Sequence, residues 1–455
     1  MFDLFRSPRR VLVFLFELVL VGLLVVAAGV IRLGVHDGLS YGNVVKRAIV
    51  FAIILQGVLY YAGFFDPQFV RQPQQAFSKV LKALALSTLV NVLVYYFLPR
   101  FEIGRGIYLS SVALVAVVLP GWRIVYDSLT DSAGFRRKTL IVGVGGLAKE
   151  IAMLIRDNPS TGLELVGMLG RDRAAIDEEQ AVIGTYGELA EVVTREGVDL
   201  VLVAYPARRG TLPVEQLLEI KFRGIEVEEG VDFYESMTGK IYVRELKPSQ
   251  LIFAEGFTAR VTTRRLKRIL DLVCAVLGLI LAAPIMALTT ILIRLESKGP
   301  IFYKQVRAGE FGKLFTIIKF RSMRTDAEKH GAQFAKQNDD RITRVGAFIR
   351  KTRIDELPQL WNVLKGEMSM VGPRPERPVF IEQLEQQVPY FKQRLYVKPG
   401  VTGHAQVRCE YGASAEDMLQ KLEYDLYYIK SYSVLFDLSV MLDTVKVVLF
   451  RIGAR

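Results

Sequence analysis

A chain of 455 residues is longer than one ordinary core, and the usual domain size of roughly 100 to 200 residues divides it into two or three parts. Two cysteines, Cys274 and Cys409, exclude a disulfide framework or a cysteine-based metal site, and three scattered histidines, His36, His330 and His404, exclude a zinc centre or a His-centred triad. The net charge of +12 accompanies apolar stretches of membrane length, so it points to anionic lipid and phosphate-bearing ligands rather than to nucleic acid.

Four apolar stretches, around 11–31, 49–65, 80–98 and 107–125, approach the roughly 17 to 25 residues of a spanning helix and predict a four-helix transmembrane region over 1–130. The second carries Gln56, and a break is expected in the fourth at Pro120-Gly121. The first is about twice as long as a signal-peptide core and lacks an obvious small-residue cleavage site, which favours a retained helix over a cleaved leader. Arg6, Arg9 and Arg10 hold the N-terminus in the cytoplasm, and an even helix count returns the chain there at Arg136-Arg137-Lys138.

From Thr139, "TLIVGVGGLAKEIAMLI" reads as strand, glycine turn and helix. The strand-like "LELVGMLG" and "VDLVLVAYP" follow, separated by helix-like segments, so 136–257 is expected to be a Rossmann-like α/β module with a parallel, doubly wound sheet. Gly143, Gly145 and Ala148 fit a dinucleotide turn. The nearest acidic residue for a ribose, Asp172, follows Gly170-Arg171, and no Tyr-x-x-x-Lys pair occurs between Thr139 and Phe257. A structural or regulatory module is therefore favoured over live nucleotide binding.

The nearly uncharged run 272–293 is also long enough to cross. Arg264, Arg265, Lys267 and Arg268 flank one end, and Arg294, Lys298, Lys304 and Arg307 flank the other, so the positive-inside rule places both ends in the cytoplasm. Pro284 removes a backbone hydrogen bond in the middle. A re-entrant helix over 266–295, broken at Pro284, is expected; a proline-kinked fifth crossing is the alternative.

The remaining segment is rich in cations and rigid turns around one acidic pair, Asp355-Glu356, within "TRIDELPQL". Pro358 suits a first helical turn, so a helix is expected to begin near Asp355, with both carboxylates at its positive end. An N-cap worth about 1 kcal/mol would explain Asp355 alone. It explains neither Glu356 nor the cations. An ionised Asp is also a usable nucleophile, provided that arginines and a metal neutralise a phosphate substrate.

"KFRSM", "DELPQLWNVLKGEMSMVGPRP" and "KPGVTGHAQV", in this order, resemble the bacterial sugar transferase family, the polyprenyl-phosphate phosphoglycosyl transferases that start exopolysaccharide and O-antigen assembly. The resemblance covers 264–455, and the layout ahead of it resembles the family's long, membrane-spanning form. It implies a C-terminal monotopic transferase domain at the cytoplasmic face of a bacterial inner membrane. The implied chemistry takes a sugar phosphate from a UDP-sugar to polyprenyl (undecaprenyl) phosphate with release of UMP.

Carried over by position, Asp355 is the nucleophile, Glu356 helps bind Mg²⁺, and Arg374 contacts uridine and phosphate on a loop stiffened by Pro373 and Pro375. Lys319, Arg321 and Arg350 are phosphate ligands, and Asp425 matches a further family position. Ala283 stands where the family often has Ser, and His404 where Trp is common. The implied partners are the bilayer and downstream glycosyltransferases, without nucleic acid; a homodimer is left open. A membrane-anchored NAD-dependent oxidoreductase built on the Gly143 turn and a non-catalytic export scaffold are the competing classes. The sugar is not legible. The chemistry is expected to reside wholly after about residue 258.

Overall fold

The computed structural model describes residues 8–40, 43–61, 73–131, 136–158, 161–171, 182–204, 213–246, 248–254, 256–257, 260–325, 327, 340–409 and 414–450. The chain divides into two compact units, Met1–Phe233 and Tyr234–Arg455.

In the first unit, long helices at Pro8–Leu33, Val44–Tyr61, Pro73–Phe97 and Arg105–Asp131 enclose an apolar core that includes Val21, Phe51, Leu55, Leu84 and Leu119. Two of these, over Val11–Leu33 and Arg105–Tyr126, are long and apolar enough to cross a membrane, and Ala83–Phe97 is a shorter apolar helix. The expected break at Pro120-Gly121 is absent: the Arg105–Asp131 helix continues through Pro120. Arg123 donates to buried Glu17 at 2.9 Å, so this charge pair lies between helices rather than facing lipid.

The α/β part has five parallel strands, β1 (Arg137–Val142), β2 (Leu163–Gly170), β3 (Val182–Thr185), β4 (Leu200–Val203) and β5 (Glu226–Glu229), in the order β3-β2-β1-β4-β5. Leu140, Val142, Leu169 and Val201 form its centre. Gly143 takes φ 132°, and Gly145, with extended backbone, precedes the Gly146–Asp157 helix, so the predicted turn has its expected form. Asp172 lies outside the described residues, as does His330.

The second unit begins earlier than the composition suggested. Tyr234, Ile241, Tyr242 and Val243 are buried in it. The Ile241 amide donates to the Glu423 carbonyl at 3.1 Å, the Tyr390 hydroxyl to the Leu246 carbonyl at 3.2 Å, and Lys430 to Glu235 at 2.6 Å. The segment after Tyr234 is thus a strap on the C-terminal unit.

The Val261–Glu296 helix has 36 residues and runs through Pro284, so the proline does not end it. It is the third helix long and apolar enough to cross a membrane. Yet both ends are tied to one unit. Near its start, buried Lys267 donates to Asp437 at 2.6 Å and to the Val371 carbonyl at 3.0 Å, and Asp271 accepts from Ser369 and the Met370 amide, each at 2.9 Å. Near its end, Ile293 packs with Phe320 and Ile349, and Glu296 accepts from the Val345 amide at 3.1 Å. Leu266, Ile269, Val273, Ile280, Leu281 and Leu295 leave an apolar face exposed along its length. Lys267 and Arg268, read in the sequence as membrane flanks, are clamps: Arg268 donates to the carbonyls of Val363 and Leu364.

Candidate active site

The antiparallel hairpin β6 (Phe302–Ala308) and β7 (Leu314–Phe320) forms one wall, with Tyr303 opposite Lys319 and Arg307 opposite Phe315. Period-2 alternation puts Tyr303, Gln305, Arg307 and Lys319 on one face. The Arg344–Lys351 helix is started by Thr343, whose side chain accepts from the Gly346 amide, and its last turn carries Arg350 toward the dyad.

The backbone then departs from expectation. Asp355 and Glu356 lie in a three-residue 3₁₀ turn, Ile354–Glu356, and the α-helix starts only at Gln359. Successive i→i−3 bonds, Glu356 to Arg353, Leu357 to Ile354 and Trp361 to Pro358, bridge the two, because Pro358 has no amide hydrogen to offer an α-turn. No side chain caps the Gln359–Lys365 helix, and Asp355 Oδ1 is buried without a hydrogen-bond partner. The cap explanation of Asp355 therefore fails on geometry.

Glu356 is the opposite case. Its Oε1 lies 3.0 Å from Lys319 Nζ, 3.3 Å from Arg374 Nη2 and 3.9 Å from Arg353 Nη1. Burial opposes its charge, but Lys319, Arg374 and Arg353 outweigh burial and hold the carboxyl well below the usual carboxylate range. For Asp355 burial wins, reinforced by Glu356, and its carboxyl is pushed up to about 6 against Lys319, Arg350 and Arg353. One carboxylate is locked and anionic. Its neighbour carries an oxygen free of hydrogen bonds.

Arg374 sits on the loop after β8 (Ser369–Val371), which pairs in parallel with β9 (Gly400–Thr402). A Cβ on Gly372 would fall 2.3 Å from the Lys398 carbonyl oxygen, and one on Gly400 would fall 2.1 Å from the Gly372 nitrogen. Two backbones this close admit only glycine, which accounts for glycine in both "GPRP" and "KPGVTG". The Gly400 amide donates to the Pro373 carbonyl at 2.9 Å, so Pro373 and Pro375 hold a loop that is also pinned from below. Arg374 and Pro375 line two adjoining clefts, one completed by Arg307, Lys319 and Gln359, the other by Pro373, Arg394 and Pro399.

The structure brings together Asp355, Glu356, Lys319, Arg350 and Arg374. It assigns Arg321 elsewhere: buried, this guanidinium donates to the Ser297 carbonyl and hydroxyl, each at 2.8 Å, and to the Lys298 carbonyl, so it fastens the turn after the long helix instead of serving as the expected phosphate ligand. Asp425 lies beneath the loop, not in a cleft lining. It pairs with Arg394 at 2.8 Å, and Arg394 donates to the Arg374 carbonyl at 3.2 Å; burial pushes the Asp425 carboxyl up to about 6 against Arg394. Asp425 thus acts on the site through Arg394.

His404 is buried against Tyr424, Tyr427 and Phe436, with Nε2 3.2 Å from the Gly239 carbonyl oxygen of the strap.

Three cations escaped the sequence reading. Arg353 adjoins the dyad and has a left-handed backbone, φ 59°, a conformation that costs a non-glycine residue about 1–3 kcal/mol. Arg307 could have been found from the alternation in "FYKQVRA"; it donates to the Pro375 carbonyl at 3.0 Å, and its Nε is buried without a partner. Burial lowers its guanidinium from the ordinary value, against Glu376 and together with Arg374 and Arg377. Arg394 had no local signal, because its partner lies 31 residues along the chain.

Comparison with known proteins gives this geometry a family. A model described as bacterial sugar transferase matches residues 262–451, and one described as CoA-binding domain matches 61–219. The chain is 43% identical over 221 residues to the UDP-N-acetylgalactosamine-undecaprenyl-phosphate N-acetylgalactosaminephosphotransferase of Aeromonas hydrophila, covering 49% of this chain and 52% of that protein, about half its length. It is 30% identical over 380 residues to the undecaprenyl-phosphate galactose phosphotransferase of Salmonella typhimurium, covering 78% and 77%. It is 32% identical over 391 residues to the undecaprenyl-phosphate glucose phosphotransferase of Komagataeibacter xylinus, covering 84% and 71%. On this likeness, and with the transferase model spanning the dyad and both glycine loops, the chain belongs to the bacterial sugar transferase family.

Proposed function

We propose that the protein transfers a sugar 1-phosphate from a UDP-sugar to polyprenyl phosphate and releases UMP, as the first membrane step of exopolysaccharide biosynthesis. The observation that carries this reading is Asp355 Oδ1, buried, unpartnered and surrounded by Lys319, Arg350 and Arg353. Relatives named as undecaprenyl-phosphate phosphotransferases supply the substrate class.

The ionised Asp355 carboxylate attacks the β-phosphorus of the UDP-sugar. An O–P bond forms to Asp355, the bridging P–O bond breaks, and UMP leaves with the bonding electron pair. A polyprenyl phosphate oxygen then attacks the same phosphorus, which frees Asp355 and yields the diphosphate-linked lipid sugar. Lys319, Arg350 and Arg374 offset the negative charge that would otherwise repel a carboxylate nucleophile. Glu356, anionic and held by three cations, keeps them aimed at one point.

Among the described residues no group of three or more His, Cys, Asp or Glu side chains could hold a metal alone. The donor set fits Mg²⁺, which is usually bound through one or two carboxylates plus substrate phosphates; Asp355 Oδ1 and Glu356 are the carboxylates present. When bound, it would supply charge neutralisation for the diphosphate.

The Val261–Glu296 helix is proposed to enter one leaflet and return. Straight, 36 residues would extend about 54 Å, against a hydrocarbon core of about 30 Å. The ties of both its ends to one unit support a return to the same face, and an even number of crossings before residue 132 would favour the cytoplasmic face of a bacterial inner membrane. The test is UMP release by the purified full chain in nanodiscs, with UDP-N-acetylgalactosamine, UDP-galactose and UDP-glucose supplied in turn. Continuous turnover that requires undecaprenyl phosphate, with no more than about one UMP released per chain in its absence, is expected with one of them; nicotinamide reduction, or no release with any, would refute the reading.

A further inference from the structure

Arg353 occupies a position that backbone physics assigns to glycine. It follows the Arg344–Lys351 helix and its Thr352 cap, has φ 59° and ψ 13°, and its amide donates to the Arg350 carbonyl. A left-handed residue just past a helix end is most often Gly, because a Cβ is disfavoured there. An arginine in this place needs a reason in its side chain. Favourable interaction with the negative end of the preceding helix is one contribution, but Arg350 and Lys351 already stand in its last turn.

The side chain reaches the dyad. Arg353 Nη1 lies 3.9 Å from Glu356 Oε1, the Arg353 charge acts on both Asp355 and Glu356, and about a third of the side chain is exposed. Around the two carboxylates stand four cations, Lys319, Arg350, Arg353 and Arg374, which leaves two positive charges in excess. An excess of that size at an unpartnered buried oxygen suits a ligand carrying a diphosphate.

We propose that Arg353 is a further substrate-binding residue, a ligand for the anionic diphosphate of the nucleotide sugar, and that the left-handed backbone is retained because it aims the guanidinium over Asp355-Glu356. This inference rests on the transferase reading. Arg353 thereby orients the phosphorus toward the Asp355 oxygen, alongside Arg374 approaching from the opposite loop.

The test uses the full chain in nanodiscs with two substitutions. Arg353→Gly relieves the backbone and removes the charge; Arg353→Lys keeps the charge and the strained backbone. Melting temperature, UDP affinity by titration calorimetry, and KM and kcat for UMP release are measured on each. The expected result for Arg353→Gly is a melting temperature equal to or above wild type, UDP binding weakened about tenfold, and kcat/KM lowered tenfold or more with KM raised. Arg353→Lys should recover most of the UDP affinity without gaining stability. Wild-type UDP affinity and kcat/KM in Arg353→Gly would overturn the inference, as would a fall in melting temperature shared by both variants. A wild-type chain that binds UDP but releases no UMP would instead refute the transferase reading, and the calorimetric comparison would still decide whether Arg353 holds the diphosphate.

Discussion

Two acids of the C-terminal unit, Asp437 and Asp355, have contrasting surroundings. Asp437 is fully engaged: Lys267 donates to one oxygen at 2.6 Å and Tyr428 to the other at 2.7 Å, and both donors also reach the Val371 carbonyl. Asp355 has three cations about it, Lys319, Arg350 and Arg353, where Asp437 has Lys267, yet the Asp355 Oδ1 accepts nothing. A buried charge with a donor on each oxygen is architecture, because removing either partner strands the other. A buried oxygen left open among cations costs stability and is retained for what it does.

Exchange of each acid should separate these roles. Asp355→Asn is expected to reduce UMP release by about a thousandfold or more, the scale associated with loss of a covalent nucleophile, with the melting temperature unchanged or raised. Asp437→Ala is expected to do the reverse, destabilising the unit by about 3–5 kcal/mol through stranded Lys267, while folded protein retains labelling at Asp355. Denaturation and turnover measured side by side check both.

Glu356→Gln lies between the two. Lys319, Arg353 and Arg374 would lose their shared anion and repel one another, so both stability and UDP-sugar KM should worsen, with KM rising about tenfold.

The smallest expected effect is a pH signature. The Asp355 carboxyl, raised to about 6, binds its proton more readily in the folded chain than at the ordinary value near 4. Its contribution to stability is therefore fully present below about pH 4 and is lost as the pH rises through about 6. Glu356, depressed, contributes above its unfolded value and loses that contribution as the pH falls toward its folded one. The melting-temperature gain of Asp355→Asn over wild type should accordingly grow between pH 4 and pH 7. A gain independent of pH would mean that Asp355 is not desolvated as described.

Features set by local chemistry were legible in the sequence. The glycine turn at Gly143, the parallel strands and the long apolar helices follow from periodicity and length, and Asp355, Glu356, Lys319, Arg350 and Arg374 do converge. Features set by tertiary partners were not. Pro284 and Pro120 promised interruptions, but the helical pattern continues past both, so any bend at Pro284 leaves the helix intact on either side. Lys267 and Arg268 looked like lipid-facing flanks because nothing local reveals that Asp437 and the Val363 carbonyl lie opposite. Arg321, two residues after Lys319 in "KFRSM", lies just past the end of β7 and turns to the Ser297 and Lys298 carbonyls, whereas Lys319 reaches Glu356. The strap after Tyr234 carries no motif and is held largely through backbone groups, so the boundary expected near 258 lies closer to 234.

The open oxygen of Asp355 is proposed to form a bond to phosphorus. The most direct test of that bond is intact-protein and peptide mass spectrometry of the full chain, incubated with the UDP-sugar that supports turnover but without lipid acceptor. One added sugar phosphate is expected on the peptide bearing Asp355, removed by undecaprenyl phosphate and absent from Asp355→Asn. An adduct that persists in Asp355→Asn, or turnover at the wild-type rate with no adduct at any time point, would contradict the proposed bond.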